Sequence, residues 1–186
     1  GGVAPRPPRP SGAAGARPRS GPPPGPAAAR DGAAPGAALS RTDRVFDALV
    51  MGILGQKVQS DAARQSLRLL ARRFGGAAPG PCELRLLPLP SVLAALDYSA
   101  LHPCNVERAR ADRILGAARR AAWLESCTSP ATLQLLPGVG PWTAAVTAEA
   151  AWGDADAVAI GDFHLPNTVC WAPARDPRGH DPRLPD

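Results

Sequence analysis

The sequence lacks most of the features that mark metal-cluster, membrane and β-rich proteins. It has four cysteines, and no two of them have the C-x-x-C spacing typical of zinc and iron–sulfur sites. No apolar run is long enough to cross a bilayer, and none near the start has the form of a secretory signal. No stretch has a convincing strand pattern. These absences favour a helical cytoplasmic protein with reduced thiols and no membrane association.

Lysine is almost absent, although the chain is basic. The net charge is +5, and the 21 basic side chains are all arginine except Lys57. A basic protein of this kind indicates a polyanionic partner. The alternative explanation is a coding bias that favours arginine, alanine, proline and glycine, which would account for much of the charge without any partner.

The first 40 residues contain no aromatic side chain, and Val3 and Leu39 are their only large aliphatic residues. A segment of this composition cannot bury enough apolar surface to offset the entropy of ordering it. We therefore predict a disordered basic tail over residues 1–40. The rest of the chain is long enough for one domain, predicted over 41–174, with an irregular segment over 175–186.

Apolar residues recur at helical intervals through most of this domain. The predicted helices cover residues 45–54, 60–74, 91–96, 106–124, 129–136, 141–152 and 163–171. The sequence GQKVQ, residues 55–59, is predicted as the loop between the first two helices, and five arginines are expected on the polar face of the helix over 106–124. The fold class is therefore predicted to be all-α.

The stretch LPGVGPWTAAV, residues 136–146, places Gly138 and Gly140 one residue apart between two predicted helices. A tight turn needs one residue that tolerates positive φ, so a second glycine indicates a close approach to the backbone. Amides of this turn and of the next helix can then point outward and hold an anion, and a DNA phosphate suits a basic protein. The alternative interpretation is a simple helix–helix corner with a glycine cap.

The string LPGVGPWTAA resembles the helix-hairpin-helix motif of the DNA glycosylase superfamily, and most closely its alkylated-base branch, the bacterial 3-methyladenine DNA glycosylase II type. VFDALVMGILGQKV, ERARADRILGAARRA and GDADAVAIGDFHLPNTVCWA resemble other segments of that family in the same order, over roughly residues 43–181. The resemblance implies a helical glycosylase core that continues into further helices, so we expect this sequence to be incomplete at its C-terminus.

The resemblance also implies an activity, the hydrolysis of the N-glycosidic bond of alkylated purines in double-stranded DNA that contains damaged bases. Breaking that bond builds positive charge on the sugar, which a fixed carboxylate can stabilise. The family's catalytic aspartate falls on Asp162, which lies 20 residues after Trp142. An ordinary helix cap is the alternative role for Asp162, and Asp154 and Asp156 are assigned to a solvated loop.

The other site residues come from the same resemblance. Trp142 and Val146 are expected in the base pocket. Because related lyases carry a lysine where this chain has Trp142, the enzyme is expected to be a monofunctional hydrolase. The residues expected to contact DNA are Gln56, Lys57, Gly138, Gly140 and Thr143. Lys57 stands where the better-known branch of the family has an apolar wedge, so it is expected to reach a phosphate or the opposite strand instead; a surface lysine with no role beyond general charge is the alternative. No cofactor is expected, apart from a structural Na⁺ or K⁺ held by the backbone carbonyls of Gln134, Leu136 and Gly138.

Two other functions fit the same residues. One is a non-catalytic helix-hairpin-helix protein that binds DNA but has lost its activity. The other is a glycosylase for mispaired or deaminated bases. In each case we expect a monomer whose partner is DNA.

Overall fold

The computed structural model describes residues 39–81 and 83–166. The predicted tail up to residue 38 and the segment 167–186 lie outside these ranges. The α-helices within them are α1 Val45–Leu54, α2 Ser60–Phe74, α3 Pro90–Ala94, α4 Tyr98–Leu101, α5 Arg108–Ala118, α6 Ala121–Glu125, α7 Pro130–Leu133 and α8 Pro141–Trp152. A short 3₁₀ helix, His102–Cys104, follows α4.

The prediction of an all-α fold is confirmed. Over residues 39–81 and 83–166 the structure contains no strand, and a single isolated bridge joins Ala77 to Arg85. None of the helices described is long and apolar enough to span a membrane.

Helix α1 lies at the centre of the core. Eight of its ten residues are buried, and the side chains of Phe46, Leu49 and Ile53 are almost completely inaccessible. Its main neighbour is α8, whose buried residues are mostly alanine and threonine. A Cβ at Gly52 would lie only 3.2 Å from Val146 Cγ2, so small residues on both helices allow them to approach closely.

The N-terminus of α1 is capped from a distant part of the chain. Arg44 provides no side-chain cap. Instead, the Val45 N–H donates to Glu125 Oε2 and the Phe46 N–H to Glu125 Oε1, both at 3.0 Å. A carboxylate at this end of a helix also interacts favourably with the helix dipole. Glu125, at the end of α6, thereby fixes where the central helix begins.

The prediction of one helix over 106–124 is wrong in one respect, because the structure has two helices there, α5 and α6. The break lies at Arg120, whose φ and ψ are −117° and 19°. The Arg120 N–H donates to the carbonyl of Ala117, three residues back, which tightens the last turn of α5. The change of direction places Leu124 fully in the core and brings Glu125 to α1.

The predicted arginine face is also wrong in part. Arg110 is 8% exposed, and its Nη1 donates to the Leu54 carbonyl at the end of α1 over 3.1 Å. Arg113 is half-buried, whereas Arg108, Arg119 and Arg120 are exposed. A buried guanidinium must find acceptors, and here the free carbonyl at a helix end supplies one.

Two smaller differences concern the end of α7 and the presence of α4. Helix α7 stops at Leu133 rather than at Leu136, and the next residues form 3₁₀-type turns, with the Leu136 N–H donating to the Leu133 carbonyl. Helix α4 was not predicted, although Asp97 caps it by accepting from the Ala100 N–H at 3.3 Å.

Replacing Glu125 with alanine should destabilise the fold, because two amides of α1 would lose their acceptor. We expect the free energy of unfolding to fall by about 1–2 kcal/mol in urea titrations followed by circular dichroism. The matched control is Glu149→Ala, which removes an exposed glutamate from the surface of α8. Equal effects of the two substitutions would contradict the capping role.

Candidate functional site

The predicted hairpin connects α7 to α8. Leu136 and Val139 are buried and anchor the turn, while Pro137, Gly138 and Gly140 face solvent. The Val139 N–H donates to the Leu136 carbonyl at 3.1 Å. Pro141 occupies the first turn of α8, where a missing N–H costs nothing. The apolar anchors therefore hold an exposed loop directly in front of a helix N-terminus.

The two glycines of the hairpin lie in different structural environments. Gly138 has a φ of +80°, and a Cβ there would lie 2.1 Å from Arg113 Nε, so the fold itself requires glycine. Gly140 has a φ of −92°, and a Cβ there would meet nothing within 4 Å. Within residues 39–81 and 83–166, neither the backbone conformation nor the packing requires glycine at 140.

The open space at Gly140 lies beside the first amides of α8. The N–H groups of Gly140, Trp142 and Thr143 find no acceptor within residues 39–81 and 83–166. They belong to the N-terminal turn of α8, where unpaired amides and the helix dipole favour an anion.

Gln56 and Thr143 were predicted to contact DNA, but their side chains are bonded within the chain. Gln56 Nε2 donates to the Gly138 carbonyl at 3.0 Å and to Thr143 Oγ1 at 2.8 Å. Gln56 Oε1 in turn accepts from Arg113 Nη1 at 2.7 Å. Thr143 is only 3% exposed. These bonds join the 55–59 loop, α5 and the hairpin, a link that no spacing in the sequence indicates.

Lys57 lies at the tip of the predicted loop, which forms between α1 and α2 as expected. Its side chain is exposed, and its φ of +54° is a left-handed conformation that few residues other than glycine adopt. Arg110 holds the Leu54 carbonyl just before the loop, and Arg113 holds Gln56 within it. The strained backbone is thus kept in place by two arginines from α5.

Trp142 and Asp162 meet directly. Trp142 Nε1 donates to Asp162 Oδ2 at 2.9 Å. Asp162 Oδ1 accepts from the backbone N–H groups of His164 at 2.8 Å and Leu165 at 3.0 Å. The carboxylate therefore caps the helical turn that begins at Leu165, two residues later than predicted; the rest of the predicted helix lies outside the described residues.

These three donors fix the charge of Asp162. The hydrogen bond from Trp142 is the largest cause that lowers the pKa of Asp162 below its usual value, and the amides of His164 and Leu165 lower it further. Burial opposes them only in part. Each donor stabilises the ionised form, so the carboxylate carries its negative charge at neutral pH.

Lys57, Trp142 and Asp162 line one groove of about 690 Å³, which we name the Asp162 groove. Much of its wall is apolar and comes from Met51, Leu54, Val58, Leu67 and Phe163. Phe163 is 83% exposed, and a Cβ at Gly55 would lie 3.3 Å from Trp142 Cη2, so the indole packs on the start of the loop. Three residues predicted from separate motifs thus come together.

Val146 and two of the aspartates lie elsewhere. Val146 packs against Gly52 in the contact between α1 and α8 and does not line the Asp162 groove. Asp154 Oδ1 accepts from the Asp156 N–H at 3.0 Å in the loop after α8, and neither residue lines the groove.

The carbonyls predicted to hold a monovalent cation belong to the hairpin. The Leu136 carbonyl accepts from the Val139 N–H, and the Gly138 carbonyl accepts from Gln56 Nε2. A carbonyl oxygen has a second lone pair, so these groups still fit a hard cation such as Na⁺ or K⁺. The cation stays a prediction.

Solved DNA glycosylases are similar to this chain in fold. The chain is similar to a 3-methyladenine DNA-glycosylase from Archaeoglobus fulgidus, with a TM-score of 0.64, 19% identity, and coverage of 73% of this chain and 47% of that one. It is also similar to the 8-oxoguanine glycosylase/lyase of Clostridium acetobutylicum in complex with double-stranded DNA, with a TM-score of 0.64, 14% identity, and coverage of 79% and 51%. The apo form of the latter has a TM-score of 0.60 and 14% identity, with coverage of 75% of this chain and 52% of that one.

This chain has the fold of the helix-hairpin-helix DNA glycosylases. It spans about half the length of the solved glycosylases that it matches. No protein-family model matches the sequence, and no curated protein does. The two solved glycosylases act on different bases by their names, so the glycosylase fold alone does not distinguish the alkylated-base branch.

The two hairpin glycines of this glycosylase fold should respond differently to alanine. Gly138→Ala should lower the free energy of unfolding by more than about 1 kcal/mol, because it combines a positive φ with a clash against Arg113. Gly140→Ala should stay within about 0.5 kcal/mol of the parent. Urea titrations of the two variants provide the measurement, and a larger loss for Gly140→Ala would refute the assignment.

Proposed function

We propose that this chain is a DNA N-glycosylase that hydrolyses the N-glycosidic bond of alkylated purines of the 3-methyladenine type. The observation that carries the proposal is the hydrogen bond from Trp142 to an ionised Asp162 within the Asp162 groove. The groove lies next to a hairpin whose amides can hold a phosphate. Its volume of about 690 Å³ falls within the range of about 300–1,000 Å³ that is usual for ligand sites.

Asp162 supplies fixed negative charge. As the bond to the base breaks, positive charge develops at C1′ of the sugar, and a preorganised carboxylate stabilises it without reorganising. The lowered pKa makes Asp162 a weak proton acceptor, so its main contribution is electrostatic. That contribution is present at neutral pH and is lost only as the pH falls through the lowered pKa.

Trp142 provides the surface for the base. An indole face attracts a cationic alkylated purine through a cation–π interaction. The bond from Trp142 Nε1 to Asp162 and the contact with Gly55 hold the ring in one orientation. A nucleotide flipped out of the duplex would therefore meet an aromatic surface and a carboxylate that are already in place.

Trp142 also supports a hydrolytic outcome. A lyase attacks the sugar with an amine to form a Schiff base, and the position that carries this lysine in related lyases is Trp142 here. Lys57, the only lysine of the sequence, lines the same groove from the loop and is assigned to contact with DNA. The expected products are a free base and an abasic site.

A second candidate is release of an oxidised purine, because the Clostridium acetobutylicum enzyme matches with the same TM-score of 0.64. Base release from matched duplexes that contain 3-methyladenine, 8-oxoguanine, uracil or a mismatch separates the candidates. DNA binding without release from any of them would indicate a non-catalytic DNA-binding protein.

Asp162→Asn should abolish release of alkylated purine, with a loss of at least about 100-fold in the single-turnover rate. Asparagine is neutral and offers one acceptor oxygen, whereas Asp162 accepts bonds on both oxygens. Binding to DNA should persist or tighten, because a negative charge is removed. The matched controls are Asp154→Asn and Asp156→Asn, which lie outside the groove and should change the rate by less than about tenfold, roughly 1.4 kcal/mol. Full activity of the Asp162 variant would overturn the assignment.

Gly140→Val should weaken binding to a duplex that contains an abasic site, because a side chain would cover the amides that hold the phosphate. The fold has room for that side chain, since a Cβ at Gly140 meets no atom within 4 Å. We expect the dissociation constant, measured by fluorescence anisotropy, to rise by about tenfold, which corresponds to roughly 1.4 kcal/mol. Unchanged affinity in a normally folded variant would exclude the phosphate contact.

A further inference from the structure

A second groove, of about 540 Å³, lies between the end of α5 and the hairpin. Arg113, Arg119 and Arg120 line it on the helical side, and Pro137 and Gly138 line it on the hairpin side. We name it the arginine groove. It shares no lining residue with the Asp162 groove. Both grooves border the hydrogen bonds of Gln56: the arginine groove includes their partners Arg113 and Gly138, and the Asp162 groove includes residues of the 55–59 loop.

The charge of the arginine groove is positive and in part unpaired. Arg113 already donates to Gln56. The guanidinium groups of Arg119 and Arg120 are exposed, and neither finds an acidic partner or an acceptor in the part of the chain that the structure describes. The acid in the wall, Asp112, forms an ion pair with Arg108 at 3.2 Å. Two free arginines therefore face a groove whose acidic residue is occupied.

These two arginines lie at the break between α5 and α6. Consecutive residues of an uninterrupted helix point about 100° apart around its axis. Here Arg119 is the C-cap residue of α5 and Arg120 has the non-helical ψ of 19°, and both residues line the same groove. The paired basic surface beside the hairpin thus lies at the point where the chain departs from the predicted continuous helix.

We propose that Arg119 and Arg120 bind the phosphate backbone of the duplex that the hairpin holds. This inference rests on the proposed function, since DNA is the partner in both. The arginine groove includes Gly138, two residues before the outward amides of Gly140, so one strand can contact both. Guanidinium groups donate to phosphate oxygens in pairs and make sequence-independent contacts.

The chain contains a matched control for this proposal. Arg72 and Arg73 are also adjacent and exposed, and they lie at the end of α2, outside both grooves. Replacing either pair with serine removes two positive charges, so the net charge of the two variants is the same. Only the first pair borders the hairpin.

The test uses the full chain and a 20-base-pair duplex with a stable abasic-site analogue, with affinity measured between 50 and 200 mM salt. Each phosphate contact contributes about 0.9 to the slope of log affinity against log salt concentration. Arg119→Ser/Arg120→Ser should lower that slope by about 1 to 2 and weaken binding by about tenfold at 100 mM salt. Arg72→Ser/Arg73→Ser should lower it by less than about 0.5.

Equal losses of affinity and slope in the two variants would show that only net charge matters, and this result would overturn the proposal. An unchanged slope in the Arg119→Ser/Arg120→Ser variant would contradict it too. A parent chain that does not bind the duplex would overturn it as well. Binding is measured here without base release. A parent that shows the predicted slopes but releases no base would support the arginine contact and refute the glycosylase, while release with an unchanged slope would do the reverse.

Discussion

The side-chain amide of Gln56 joins three parts of the chain that are far apart in sequence. It accepts from Arg113 on α5 and donates to Gly138 and Thr143 on the two sides of the hairpin turn. Burying the amide costs little free energy while all three hydrogen bonds are made, whereas removing one of its partners leaves a polar group unsatisfied. The bonds of Gln56 therefore act together with the packing of α1 against α8 to set the position of the hairpin relative to the 55–59 loop, and both grooves border this link.

Much of the site could be predicted because its elements are local. Helix starts and the hairpin with its glycines depend on short patterns, whereas the relation of Trp142 to Asp162 came from the family resemblance and is a direct hydrogen bond in the structure. The roles of Arg110 and Arg113 could not be predicted in this way. Whether an arginine faces solvent or enters the core depends on acceptors such as the Leu54 carbonyl, which packing alone brings near. The contact of Val146 with Gly52 could not be predicted for the same reason, since the closeness of α1 and α8 follows from Gly52 and its small neighbours.

Gly138 and Gly140 show how one sequence motif combines two kinds of constraint. The first glycine satisfies the fold, through its positive φ and its contact with Arg113, while the second has an ordinary φ and open space around it. A sequence pattern gives them equal weight because both are simply glycine. The atoms around each Cα separate the glycine that the fold requires from the glycine that it does not, and the second lies at the N-terminus of α8, where the proposed function places a DNA phosphate.

The state of Asp162 bears on which base this site can release. The helix-cap role and the proposed catalytic role of Asp162 both need an ionised carboxylate. The backbone amides and the Trp142 N–H favour that form. An acid that must give a proton to a departing base needs a raised pKa, and Asp162 has the opposite shift. A cationic alkylated purine leaves as a neutral molecule and needs no such proton, whereas a neutral purine leaves as an anion unless another group protonates it. Fixed negative charge beside an aromatic face thus suits a base that already carries positive charge, so the chemistry of the groove supports the proposal of alkylated rather than oxidised purines, between which likeness of fold does not distinguish.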